Sequence, residues 1–137
     1  MTFARFTIAY WCVLVAAILP IICAGIAKYG MLTTAPSKGD YDNNHPRGWL
    51  ARQSDWRARA NAAQANTFEA LPFFFAAVII AHTLQAVQTR VDILALIFIM
   101  LRMAYVIMYV ADLAKARSAI WALAMLVNIA ILFSGYR

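Results

Sequence analysis

The sequence predicts an all-α integral membrane protein: a four-helix bundle forming one domain over residues 1–137. Three observations predict it. Hydrophobic residues make up 64% of the chain and charged residues 13%, where an ordinary soluble domain carries about 25% charge. Uncharged stretches at 6–27, 70–89 and 118–136 match the roughly 20 apolar residues that cross a hydrocarbon core about 30 Å thick. A fourth, 93–111, has the length but carries Arg102 in its centre. These runs are too long and too uniformly apolar for barrel strands of about 10 alternating residues. A helix is then the structure that satisfies its own backbone in lipid.

Helix 1 is expected over about 5–28. "MTFAR" resembles a signal n-region, but the apolar run that follows exceeds the usual 7–15 or so residues and ends in Lys28-Tyr29 without a small-x-small site, so the segment is expected to remain. Pro20 removes one of its backbone bonds. Cys12 and Cys23 share roughly one face but lie about 16 Å apart along the axis, too far for a disulfide. The loop 30–48, containing "TTAPSKGDYDNNHPRG", is dense in turn formers. Its length suits a binding lid or a flexible connection equally. Helix 2 is expected over 49–86, with "WLARQSDWRARANAAQ" as its interfacial extension and Trp49 and Trp56 at headgroup level. Short turns at "QTRVD" and "ADLAKARS" lead to helix 3 at 91–112 and helix 4 at 117–135, so successive helices are antiparallel neighbours.

The net charge is +6. Lys28, Lys38, Arg47, Arg52, Arg57 and Arg59 follow helix 1, Lys115 and Arg117 follow helix 3, and the other side holds Arg5, Arg90 and Arg137. The positive-inside bias places loops 1 and 3 in the cytoplasm and both termini outside. Contact with anionic lipid fits this charge; nucleic acid does not, for want of basic residues interleaved with aromatics.

Intramembrane ionisable residues cost about 2.5–3.5 kcal/mol at the bilayer centre and face the bundle interior. Arg59, Asn66 and Glu69 fall on one face of helix 2, with Gln64 to one side. Arg102, Tyr105, Tyr109 and Asp112 fall on one face of helix 3, and Glu69 is the expected countercharge of Arg102. Arg117, Ser118 and Trp121 open helix 4 at the same level. Interhelical glue explains each residue singly; two such stripes converging at one depth also suit a polar, anionic ligand held by several donors. No metal site, phosphate loop or catalytic triad is legible, and His45 and His82 read as surface residues.

"QANTFEALPFF", 64–74, resembles the helix 2 signature of the MAPEG family, the membrane-associated proteins of eicosanoid and glutathione metabolism. "RMAYVIMY", 102–109, resembles its helix 3 pattern, and "RSAIW", 117–121, the Arg-Ser start of its helix 4. The resemblance implies a homotrimer in a bacterial inner membrane, with glutathione as co-substrate between subunits near the cytoplasm and a lipophilic second substrate arriving from lipid. It implies that Gln64, Asn66 and Glu69 contact glutathione's peptide and amino groups, that Tyr105 and Tyr109 line the pocket, that Arg102 holds helices 2 and 3 together, and that Arg117, aided by Tyr109 and Ser118, stabilises the thiolate. Lys28 and Arg59 are the further basic candidates. Catalytic members carry an Arg four residues before the motif Asn, where this chain has Ala62. Two functions follow: a glutathione-dependent transferase or peroxidase, or a non-catalytic membrane protein that binds lipid or serves a larger complex. Four helices without broken Gly-rich segments give little for an ion path.

Overall fold

The computed structural model describes residues 6–31 and 41–136. The expected start of helix 1 at residue 5 and residues 32–40 of loop 30–48, Lys38 included, lie outside these. Among the described residues the protein is all-helical, and four helices are long and apolar enough to cross a membrane. They are α1 (Ile8–Ala27), α3 (Trp56–Thr83), α4 (Gln88–Val110) and α5 (Ala114–Leu132), the last extended by a 3-10 turn, Phe133–Gly135. A short helix, α2 (Pro46–Ala51), precedes α3.

α3 and α4 pack against each other and against both α1 and α5, which lie on opposite sides of the bundle. The interior face of α3 repeats every three or four residues through Ala60, Ala63, Thr67, Leu71, Phe74 and Val78. That is the helical period, and small residues at its lower end let α1 and α4 approach closely. Phe74 stacks on Phe98 of α4 at 4.2 Å between ring centres, at the middle of the core. Pro20 and Pro72 both sit inside continuous helices. Cys12 and Cys23 are buried free thiols.

The single helix expected over 49–86 is two helices. Asp55 adopts an extended backbone and its carboxylate accepts from the Arg57 amide at 2.9 Å, an N-cap that starts α3 afresh. Pro46 starts α2 at its first turn. Trp49 therefore turns inward: it is 4% exposed, packed edge-on against Tyr41 and clustered with Ala27 and Ala60. Helix ends also move by two or three residues, because α3 and α4 stop at left-handed turns at Gln85 (φ 53°) and Asp112 (φ 64°).

At one end of the bundle α1 and α4 finish and α3 and α5 begin; this end holds most of the Lys and Arg. Two arginines serve the backbone there. Arg57 donates through Nη1 to the Ala27 carbonyl and Arg59 through Nε to the Val110 carbonyl, each at 2.9 Å. Both carbonyls lie at helix C-termini, where acceptors are orphaned and the dipole is negative. Arg57 also lies over Trp56, 4.4 Å from the ring centre. Arg59→Ala is expected to cost about 1 kcal/mol and Arg57→Ala about 2, read as earlier thermal unfolding in detergent; equal and negligible losses would refute the capping role.

At the opposite end the Asp92 carboxylate accepts from the Ala9 amide at 2.8 Å and from Gln88 at 2.7 Å, so a residue of α4 caps α1. His82 stacks on Tyr10 at 4.4 Å and its Nδ1 lies 2.9 Å from the Val78 carbonyl. It is a packing residue.

Candidate functional site

Arg102 is 2% exposed in the middle of the spanning region. Its Nη2 donates to Asn66 Oδ1 at 3.1 Å and to Thr67 Oγ1 at 3.0 Å, and its guanidinium lies 4.3 Å from the centre of the Tyr105 ring. Glu69 is exposed and forms no ion pair with it among the described residues. The expected Arg102–Glu69 pair is thus replaced by two neutral acceptors and an aromatic face. The reason is rotational: Thr67 points along the interior face of α3 toward α4, whereas Glu69 lies about 200° further round the helix.

From Arg102 a chain of contacts runs toward the basic end. Tyr105 meets Tyr109 edge-on at 5.6 Å, and the Arg117 guanidinium lies 4.1 Å from the centre of the Tyr109 ring. Arg117 sits in the first turn of α5, so its position follows from the short α4–α5 connection. Ser118 is exposed beside it, its hydroxyl donating to the Ala114 carbonyl at 3.1 Å. Asn66, Tyr105, Tyr109, Arg117, Ser118 and Trp121 together line a cavity of about 300 Å³. A deeper cavity of about 190 Å³ shares Asn66 and Trp121 with it and adds Glu69, Arg102, Phe73 and Asn128. The two cavities share a wall, and the second adds Ala70, Phe73, Phe98, Ala124 and Met125 to its polar residues.

Gln64 and Lys28 are elsewhere. They line a separate cavity of about 420 Å³ with Arg47 and Asn61, between α1, α2 and α3. Gln64 and Asn66 are two residues apart, which turns them about 200° from each other. Within one chain they cannot hold the same small molecule. Arg59, expected on the ligand face, is held by the Val110 carbonyl instead. The structure therefore gathers Asn66, Glu69, Arg102, Tyr105, Tyr109, Arg117 and Ser118, and sets Lys28 and Gln64 on another face.

Trp121 lines both cavities, and Thr67 lies behind them as a partner of Arg102. Thr67 is absent from the stripes read in the sequence; the signal that marks it is its place as the polar member of an otherwise apolar i, i+4 row, since buried polar groups in lipid find partners. Its hydroxyl donates to the Ala63 carbonyl at 2.7 Å, leaving its lone pairs for Arg102. Among the described residues no group of three His, Cys, Asp or Glu converges on a metal position.

A model of the MAPEG family matches residues 8–136. The chain belongs to the MAPEG family. It is an integral, multi-pass membrane protein of a family that includes glutathione transferases and peroxidases as well as non-catalytic members, and that generally uses glutathione. A search of curated proteins found no match, and neither did a search of solved structures. The MAPEG match spans α1 to α5, so the Arg102–Tyr105–Tyr109–Arg117 row lies within it.

Proposed function

We propose that this MAPEG protein is a membrane-bound glutathione-dependent transferase or peroxidase acting on lipophilic electrophiles, with Arg117 stabilising the glutathione thiolate. The observation that carries this reading is the Arg117 guanidinium over Tyr109 in the wall of a polar cavity that shares Asn66 and Trp121 with a second, more apolar one. A thiol of pKa about 8.5 is mostly protonated at neutral pH, and a neighbouring guanidinium favours the nucleophilic thiolate. In transfer, the sulfur forms a bond to an electrophilic carbon as the leaving group departs with its electron pair. In peroxide reduction, the thiolate attacks oxygen, the O–O bond breaks, and the alkoxide takes up a proton. A second glutathione then converts the sulfenic acid to disulfide and water.

The basic end is the cytoplasmic end in this reading, and the membrane is a bacterial inner membrane. Two different polar faces on one chain, the Arg117 face and the Lys28–Gln64 face, suit a head-to-tail interface, which closes into a ring under cyclic symmetry. A homotrimer would bring each Arg117 cavity against a neighbour's Gln64 cavity, so glutathione would lie between subunits. The deep recess beside Phe73 and Met125 would take the lipophilic substrate from the bilayer.

Equilibrium dialysis of the detergent-solubilised protein tests this: glutathione binding is expected in the millimolar range or tighter, and Ala62→Arg should tighten it several-fold by adding a cation near Asn66. No binding at millimolar glutathione would overturn it. The second reading, a non-catalytic protein binding lipid or serving a larger complex, is favoured by Ala62 itself and predicts co-purification with lipid or partner and no turnover.

A further inference from the structure

From Ala119 to Leu132 the apolar run of α5 is broken only by the carboxamide of Asn128. That side chain is 2% exposed, its Oδ1 has no hydrogen-bond partner, and none of the described residues bonds to its Nδ2. A buried amide without partners is costly in any interior and more so in hydrocarbon, where leucine would fill the same place in the helix at no such cost. The partner of this amide therefore lies outside the described residues. Asn128 lines the deeper cavity, of about 190 Å³, together with Arg102, whose Nε is likewise buried and without a partner. With neither pole of the carboxamide held, the group can turn about its Cβ–Cγ bond and offer the cavity either its N–H or its carbonyl oxygen.

The neighbours of Asn128 limit what can bond to it. An ordered water needs roughly two to four polar partners, and beside Asn128 on α5 the wall is Ala124 and Met125. A hydroxyl on an apolar chain needs one partner and packs its own chain against that wall. Helix geometry adds a distance: Asn128 stands eleven residues after Arg117, which returns it to the same face of α5 about 16 Å further along the axis. Trp121, on that face between them, lines both cavities. Resting on the function proposed above, we propose that Asn128 is a specificity-determining residue of the second substrate's site, holding a hydroxyl borne far along the chain of an extended lipophilic electrophile. The electrophilic carbon then lies at the Arg117–Tyr109 end, and the hydroxyl lies in the deep cavity.

The test measures glutathione conjugation of 2-dodecenal and of its terminally hydroxylated derivative by the full-length protein in detergent. In each reaction the sulfur adds to the β-carbon and the resulting enolate takes up a proton. The preference for the hydroxylated aldehyde, as a ratio of kcat/KM values, should be about three- to ten-fold greater in wild type than in Asn128→Leu, the worth of one hydrogen bond. The difference should fall in KM, because the bond is made equally before and during reaction. Taking the ratio within each protein cancels the two aldehydes' unequal partitioning into detergent. The thermal midpoint of Asn128→Leu should be unchanged or raised, since leucine removes an unpartnered amide. A lowered midpoint would instead make the amide a structural partner of a fixed water or a neighbouring chain, and would refute the proposal. Equal preference in the two proteins also overturns it, while leaving the thiolate site standing. No conjugation of either aldehyde by wild type overturns it too; the thiolate ultraviolet band of bound glutathione, present or absent, then decides whether the function proposed above falls with it.

Discussion

Arg117→Ala is expected to lower kcat/KM for conjugation of a lipophilic electrophile by about 100- to 1,000-fold, the loss seen when one preorganised donor to a reacting anion is removed. Arg117 lies over the Tyr109 ring at 4.1 Å and lines the cavity with Ser118. Once it is gone, the Tyr109 hydroxyl remains as a neutral donor, worth roughly half as much as a charged one, while the Ser118 hydroxyl is engaged by the Ala114 carbonyl. Glutathione affinity should fall much less than turnover, because the tripeptide keeps its other contacts. The thiolate ultraviolet band formed on mixing protein with glutathione should disappear in the variant. Arg117→Lys should restore charge but not the planar stack on Tyr109, giving intermediate turnover. A variant with wild-type turnover and an intact thiolate band would remove Arg117 from the chemistry.

Arg102→Ala is expected to produce the largest loss of stability. Its Nη2 serves two acceptors on α3 and its guanidinium fills the space against Tyr105. Interhelical hydrogen bonds in membrane proteins average only about 0.6 kcal/mol, with a maximum near 1.7. Two such bonds, plus the cavity left by a nearly fully buried side chain, give about 2–4 kcal/mol. Arg102→Met keeps most of the volume and removes a buried charge, so it should cost about half as much. Glu69→Gln should be close to neutral, since no ion pair joins Glu69 to Arg102 among the described residues. Thermal unfolding of the three variants decides the matter: a Glu69→Gln loss equal to that of Arg102→Ala would restore the ion pair and discard the Asn66–Thr67 account. Reduced turnover in Arg102→Met with unchanged stability would instead show that Arg102 positions Tyr105.

The contrast between these two arginines shows what one sequence can carry. Arg102, Tyr105, Tyr109 and Arg117 were legible as a set because their spacings of 3, 4 and 8 keep them at one end and on one face of α4 and the start of α5. Arg102's partners were not. Spacing put Asn66 and Glu69 on one face of α3 and charge singled out Glu69 as the partner, whereas the rotation of α3 against α4 turns Asn66 and Thr67 to Arg102. Arg59 shared a stripe with Asn66 and yet caps α4, because Val110, the carbonyl it reaches, is on another helix.

The sequence by itself determined the four spans, their antiparallel order and the basic end. Each of these depends on runs of about 20 residues whose transfer into lipid outweighs any local detail. It did not determine the break at Asp55, where one carboxylate taking up the Arg57 amide was enough to start a new helix. Nor did it divide the polar residues between two faces. A side chain's direction around a helix becomes meaningful only once neighbouring helices fix which faces are interior, and that choice separates Gln64 and Lys28 from Asn66 and Arg117. Packing of α2 through Trp49 and Leu50 against Ala27 and Ala60 then brings Arg47 into one cavity with Lys28, a proximity that no spacing in the chain encodes.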